Sequence, residues 1–98
     1  MTEPAHAHQL LEKTVALLPV SQEDIIFRGI AAEVSERILV LKKGVVRLQG
    51  TYGSVRELER RIQNEGVSPE DHTLYTDLLE WRAIAHERSE LLCILESL

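Results

Sequence analysis

Residues 74–98 read LYTDLLEWRAIAHERSELLCILESL, and within them Leu74, Leu78, Trp81, Ala85, Arg88, Leu92 and Leu95 follow at spacings of 4, 3, 4, 3, 4 and 3. Steps of three and four keep side chains on one face of an α-helix, whereas a half-buried strand needs strict alternation. Ile84, Leu91 and Leu98 flank the line, giving an apolar seam of the coiled-coil kind. This stretch therefore predicts a long C-terminal helix. Upstream, Ser68-Pro69-Glu70-Asp71 places a capping hydroxyl, a first-turn proline and two acids where a helix start needs them, although His72 to Thr76 leaves the first turn open by several residues.

A second long helix is predicted from Ser21, whose hydroxyl can cap free N–H groups while Glu23 and Asp24 suit the positive end of the helix. Apolar residues then fall at Ile26, Ile30, Val34, Ile38, Leu41, Val45 and Leu48, spacings of 4, 4, 4, 3, 4 and 3. Phe27, Ala31, Val46, Leu39 and Val40 widen the stripe beyond one side. Gly29 and Gly44 each cost roughly 1 kcal/mol relative to Ala, and Gly44 marks either a bend or a close helix contact. Gly50-Thr-Tyr-Gly53 is read as the break that ends the helix. Each long helix is expected to span about 28 residues, or roughly 42 Å, so that the two match as arms of a hairpin.

Between the arms, Ser54-Val-Arg-Glu57 has the form of a capping box, Val55, Leu58 and Ile62 give one apolar edge, and Gly66 supplies a left-handed stop. A short surface helix is expected there. Another short helix is expected over Gln9 to Leu18, ended by Pro19, with residues 1–7 frayed. The fold class is all-α, with 1–98 a single helical domain: a long antiparallel hairpin, a short connecting helix and a short N-terminal helix. Two wide stripes exceed what one hairpin covers, so oligomerisation is expected to complete the bundle, most simply as a homodimer.

Composition narrows the function. The chain has 98 residues, 44% of them apolar but only 4% aromatic, so its core is built from aliphatic side chains. Lone Cys93 can form no internal disulfide and no secretory signal pattern opens the sequence, which points to a reducing cytoplasm. No run of about 18 apolar residues exists to cross a bilayer. The 11 basic and 16 acidic residues leave a net charge of −5, which as a global term disfavours nucleic acid. The signs are segregated: residues 28–61 carry a balance of +4 and the rest −9. Opposite signs can hold helices together, within one chain or between two, or steer a charged partner; solvated faces that merely differ in sign are the plainer alternative.

Catalytic and metal chemistry finds little support. His6 and His8 form an isolated His-x-His pair, with His72 and His86 distant and no ligand set completed. Asp77 with Glu80, and Glu87 with Glu90, share faces of the last helix at i and i+3, which suits either Mg²⁺ or a solvated acidic face, and the Glu-x-x-His pattern of carboxylate-bridged metal bundles is absent. Cys93 lies within Leu-Leu-Cys-Ile-Leu, an apolar setting that raises a thiol pKa and reads as core. Gly50-x-x-Gly53 is too short for a phosphate loop. No cofactor or metal is expected. The basic residues Arg37, Lys42, Lys43, Arg47, Arg56, Arg60 and Arg61 could touch phosphates, with only Tyr52 near enough to stack on a base. Trp81 combines a seam position with charged neighbours and is read as an interface anchor as well as a core candidate.

The segment Thr51-Tyr-Gly-Ser-Val-Arg-Glu-Leu-Glu59, then Ile62, Gly66-Val-Ser-Pro-Glu-Asp71 and Asp77-Leu-Leu-Glu-Trp81, resembles a small helical protein family often encoded beside short toxin-like proteins in bacteria and archaea. The similarity covers about residues 38–95. It implies an antitoxin-like, non-catalytic member of a toxin–antitoxin pair that binds and masks a small toxin, with Tyr52, Asp77, Glu80 and Trp81 the matching positions. Thr51 departs from the charged residue usual at its place, and no separate DNA-binding domain is evident.

Three functions follow as expectations. The first is a non-catalytic helical protein-interaction module, antitoxin-like, pairing with itself and with a small toxin-like protein. The alternative is a nucleic-acid-associated regulator using basic segment 37–61, through Arg37, Lys42, Lys43, Arg47, Arg60 and Arg61. The third is an enzyme or metal-binding bundle with its site on the last helix.

Overall fold

A computed structural model describes residues 4–66 and 68–98, and these form four helices: α1 (Pro4–Leu17), α2 (Gln22–Tyr52), α3 (Val55–Glu65) and α4 (Thr73–Glu96). The all-α expectation holds, with no strand among the described residues. α2 and α4 pack antiparallel as a hairpin, and α3 crosses between them at the end where α2 turns back. α1 touches α2 alone. The long dimension of the molecule is 63 Å, against roughly 46 Å for a helix the length of α2, so α1 projects beyond the hairpin instead of folding along it.

Each boundary has a local cause. Pro19 follows α1 and offers no N–H to continue it. The fraying expected over residues 1–7 is corrected for Pro4–Ala7, which belong to α1; residues 1–3 lie outside the described set. α2 starts with the Ser21 Oγ accepting from the Asp24 N–H while the Asp24 carboxylate accepts from the Ser21 N–H, a complete capping box. At Ser54 only half of the expected box forms: the Ser54 Oγ accepts from the Glu57 N–H, but the Glu57 carboxylate turns to Arg60 instead.

One expected boundary is wrong, and a second, open in the sequence, is fixed by local turns. α2 does not stop at Gly50 but runs through Tyr52, and Gly53, at φ 88°, makes the turn. Gly50 weakens a helix without breaking it, and only the left-handed step at Gly53 requires glycine. α4 starts at Thr73, within the His72–Thr76 span that the sequence left open, and not at the Ser68 signal. The Ser68 Oγ accepts from the Glu70 N–H and Asp71 accepts from the Thr73 N–H, so both polar side chains close local turns that delay the helix to Thr73. The arms are consequently unequal, 31 residues in α2 against 24 in α4. Arg37 pairs with Glu87 across the hairpin; equal steps along both helices bring Glu96 level with Arg28, and Gln22–Phe27 overhangs.

The core sits at the α3 end. Leu41 and Leu48 of α2, Leu58 of α3, and Leu78, Trp81 and Ile84 of α4 form one buried cluster, with Leu48 and Leu58 sealed completely. Burying each of those two leucines contributes about 1.5–3 kcal/mol. Gly44 is the close contact its position suggested: a Cβ there would stand 2.9 Å from Ile84 Cδ1. The α4 seam is narrower than its spacing implied. Ile84, expected on the flank, is central, whereas Ala85, Arg88 and Leu92 are exposed. Beyond Ile84 only α2 faces α4, and a two-helix contact covers a single line.

Candidate functional site

The four residues carried by the family resemblance converge where α2, α3 and α4 meet. The Tyr52 phenol, at the last turn of α2, donates to the Asp77 carboxylate in α4 at 2.5 Å. That bond, with burial and the nearby Asp77 charge, raises the Tyr52 pKa above its ordinary value of 10.0. One turn along α4, Glu80 accepts from Arg47 at 2.7 Å. Trp81 packs on the other side of the same turn and is only 5% exposed. α3 covers this end of the hairpin, so of the two readings of Trp81 the core one describes the indole within this chain. Tyr52, Asp77 and Glu80 spend their polar atoms holding α2 to α4.

The basic segment does not form one open surface. Arg37 makes a two-pronged contact with Glu87, at 2.8 and 3.0 Å, and Arg47 is held by Glu80. Arg60 pairs with Glu57 and Arg61 with Glu65 inside α3, while the Arg61 guanidinium also lies 6.0 Å from the Tyr52 ring centre. Lys42, Lys43 and Arg56 have no ion-pair partner among the described residues. The segregated charge therefore joins helices within the chain, with Arg82 of α4 and Glu59 of α3 adding a third bridge at 3.3 Å. All these pairs are solvent-exposed, so water and salt screen them and they add little to stability.

The acidic residues are similarly engaged: Asp77 by Tyr52, Glu80 by Arg47, Glu87 by Arg37 and Glu90 by His86 at 3.2 Å. Among the described residues no group of three or more His, Cys, Asp or Glu side chains lies close enough to hold a metal ion. His6 is exposed, His8 contacts Glu12 within α1, and His72 caps α4 without a side-chain bond. Cys93, expected in the core, is exposed on α4 because the helix turns only its Leu91 and Leu95 side toward α2.

What remains unused is apolar surface: Tyr75 and Leu79 of α4 are exposed, and the rest falls in two places. At the open end, α1 leaves Leu10, Leu17 and Leu18 uncovered, Leu17 to 84%. Beside them Ile26, Phe27 and Ile30 of α2 and Leu92, Ile94 and Leu98 at the end of the chain are also exposed. Ile30, Cys93, Ile94 and Leu98 line a shallow groove between α2 and α4 there. The second place is the outer side of α2, where Leu39, Val40 and Val46 stand in solvent around Lys42 and Lys43. Sequence reasoning found the surplus of apolar surface but not its division, which depends on α1 projecting and α4 being short. No helix is long and apolar enough to cross a membrane among the described residues. No family model, curated protein or solved structure matches the chain significantly.

Proposed function

We propose that the chain is a non-catalytic helical interaction module, antitoxin-like in its action, that self-associates and grips and masks a small partner protein in a reducing cytoplasm. The observation that carries this reading is the open end, where α1, the overhang of α2 and the last turns of α4 offer apolar side chains that stay exposed among the described residues. Patches of this kind on a small protein mark binding sites. A short projecting helix beside a groove suits a partner's amphipathic helix, whose apolar face would enter between Ile30 and Ile94.

Tyr52, Asp77 and Glu80 then have a positioning part: they fix the hairpin on which the surface is mounted. Pairing of Arg37, Arg47, Arg60 and Arg61 with carboxylates favours this reading over a phosphate-binding one, because each cation would have to leave its partner to meet nucleic acid. The test is co-expression with the small proteins encoded on either side, followed by affinity capture and light scattering. A stable complex lost on Phe27→Glu or Ile94→Glu is the expected result. Failure to capture any neighbour-encoded protein would remove the masking function.

A further inference from the structure

The outer face of α2 carries a pattern that the hairpin does not use. Ile25, Ala32, Leu39 and Val46 follow one another every seven residues, and so do Gly29, Glu36, Lys43 and Gly50, interleaved with the first set at steps of four and three. A helix turns about 100° per residue, which places Leu41 and Leu48, the α2 core residues, on the opposite side from Leu39. Ile25 is half-buried and the other seven positions, Gly29 through Gly50, are exposed, with Leu39 at 60% and Val46 at 57%. Apolar residues recurring every seven positions, here Ile25, Ala32, Leu39 and Val46, are the pattern by which one helix stays in contact with another along its length.

Two features identify the second helix. Reversing the direction of α2 exchanges Glu36 with Lys43 and Gly29 with Gly50, so the set reads the same chemistry in complementary order from either end. Neither Glu36 nor Lys43 has an ion-pair partner among the described residues. Gly29 and Gly50 have helical backbones, and a Cβ at either would meet nothing within 4 Å, so no contact among the described residues requires these helix-weakening residues. A face that complements itself under a two-fold axis is what an isologous dimer requires.

We infer that the outer face of α2 pairs antiparallel with the same face of a second copy of this chain, about a two-fold axis passing between Leu39 and Val40. Glu36 of each copy then meets Lys43 of the other, and Gly29 of each lies against Gly50 of the other, where missing side chains let the backbones approach. Leu39 packs beside its symmetry mate, and Val46 beside Ala32 of the second copy. A parallel pairing would set Glu36 against Glu36 and Lys43 against Lys43, so the charges select the direction. The inference deepens the self-association in the proposed function and leaves the open end free for the partner.

Sedimentation equilibrium of the full chain tests it, with helicity and Trp81 emission confirming that each variant folds. Wild type is expected to dimerise, and Leu39→Glu to be monomeric. Glu36→Lys and Lys43→Glu each turn two opposed pairs into like-charged ones and should weaken the dimer about tenfold. Combining both reversals restores complementarity and should return the affinity to near the wild-type value. A monomeric wild type, a dimer indifferent to these changes, or a double reversal no better than the singles would overturn the proposal. So would a chain in which Leu39→Glu abolishes capture of a neighbour-encoded protein without altering self-association, since the face would then belong to that protein. Dimers that respond as expected while no neighbour is ever captured would uphold this pairing and sink only the masking function.

Discussion

The Tyr52 phenol donates to the Asp77 carboxylate across the hairpin at 2.5 Å, joining the last turn of α2 to the first turns of α4. Both side chains are half-buried, so loss of either leaves the other only partly able to recruit water. Tyr52→Phe and Asp77→Asn are each expected to cost about 1 kcal/mol, and the double variant to cost less than the two together because they share one bond. Urea unfolding of the four proteins measures this; strictly additive losses would mean that the bond contributes nothing.

The same bond predicts an alkaline signature. Tyr52 has a folded-state pKa raised above its unfolded value, so its stabilising contribution is complete below about pH 10 and is lost as pH rises through the folded value. The melting temperature of wild type should therefore exceed that of Tyr52→Phe at neutral pH, with the gap closing in strong alkali. In an ultraviolet titration, the phenolate transition of Tyr52 should move down in Asp77→Asn.

Trp81 is the single tryptophan and belongs to the core, so its emission should be blue-shifted in the native protein and should move red only on global unfolding. Trp81→Ala is expected to cost about 3–5 kcal/mol, as for other buried aromatics. A red emission maximum under native conditions, or quenching by acrylamide as efficient as for a free indole, would contradict this burial.

Those residues also show how far sequence patterning reached. The seams of α2 and α4 announced two long helices, and Ser21, Gly53 and Gly66 took up the turn and cap positions expected of their chemistry, with Gly53 rather than Gly50 ending α2. The missed features depend on contacts between elements. The glycine cost at Gly50 is local, whereas the reward for continuing the helix is the Tyr52 bond to a residue 25 positions away. Ser68 and Asp71 are equally good at capping and at closing turns, and only the geometry of the link decides between them. Trp81 lies between two charged residues and Cys93 within an apolar stretch of α4, and their opposite fates follow from α3 covering one end of the hairpin while the described residues leave the other open. The two-fold pattern on α2 was written in the sequence too, but it became visible only once Leu41 and Leu48 had identified which face was inside.

Acid should weaken the fold by an identifiable route. Asp24 has its pKa lowered by the Ser21 backbone and side-chain bonds, Asp71 by its bonds from Thr73, and Glu87 by the Arg37 guanidinium. Each folded-state value lies below the unfolded one, so their contributions are present above about pH 4 and disappear as pH falls through the depressed values. Thermal melts should fall below pH 4, and a protein carrying both Asp24→Asn and Glu87→Gln should fall less. A melting temperature that rises below pH 4 would contradict the signs of all three shifts.

Gly44 and Ile84 make the most exacting test of how α2 meets α4. A Cβ at position 44 would stand 2.9 Å from Ile84 Cδ1, so alanine must displace that methyl group, which is the mobile end of its side chain. Replacing glycine in a helix gains about 1 kcal/mol, and the displacement costs a similar amount, so Gly44→Ala should change stability little. Gly44→Leu cannot be accommodated by one methyl shift and should cost about 1–3 kcal/mol or more through overpacking. Ile84→Val removes the offending Cδ1 and alone should cost about 0.5–1.5 kcal/mol. Combined with Gly44→Ala it should recover that loss, because the new methyl group occupies the space just vacated and the helix keeps its gain. Chemical denaturation of the four proteins gives the coupling energy, and a value of zero would mean that the two helices do not touch at this point.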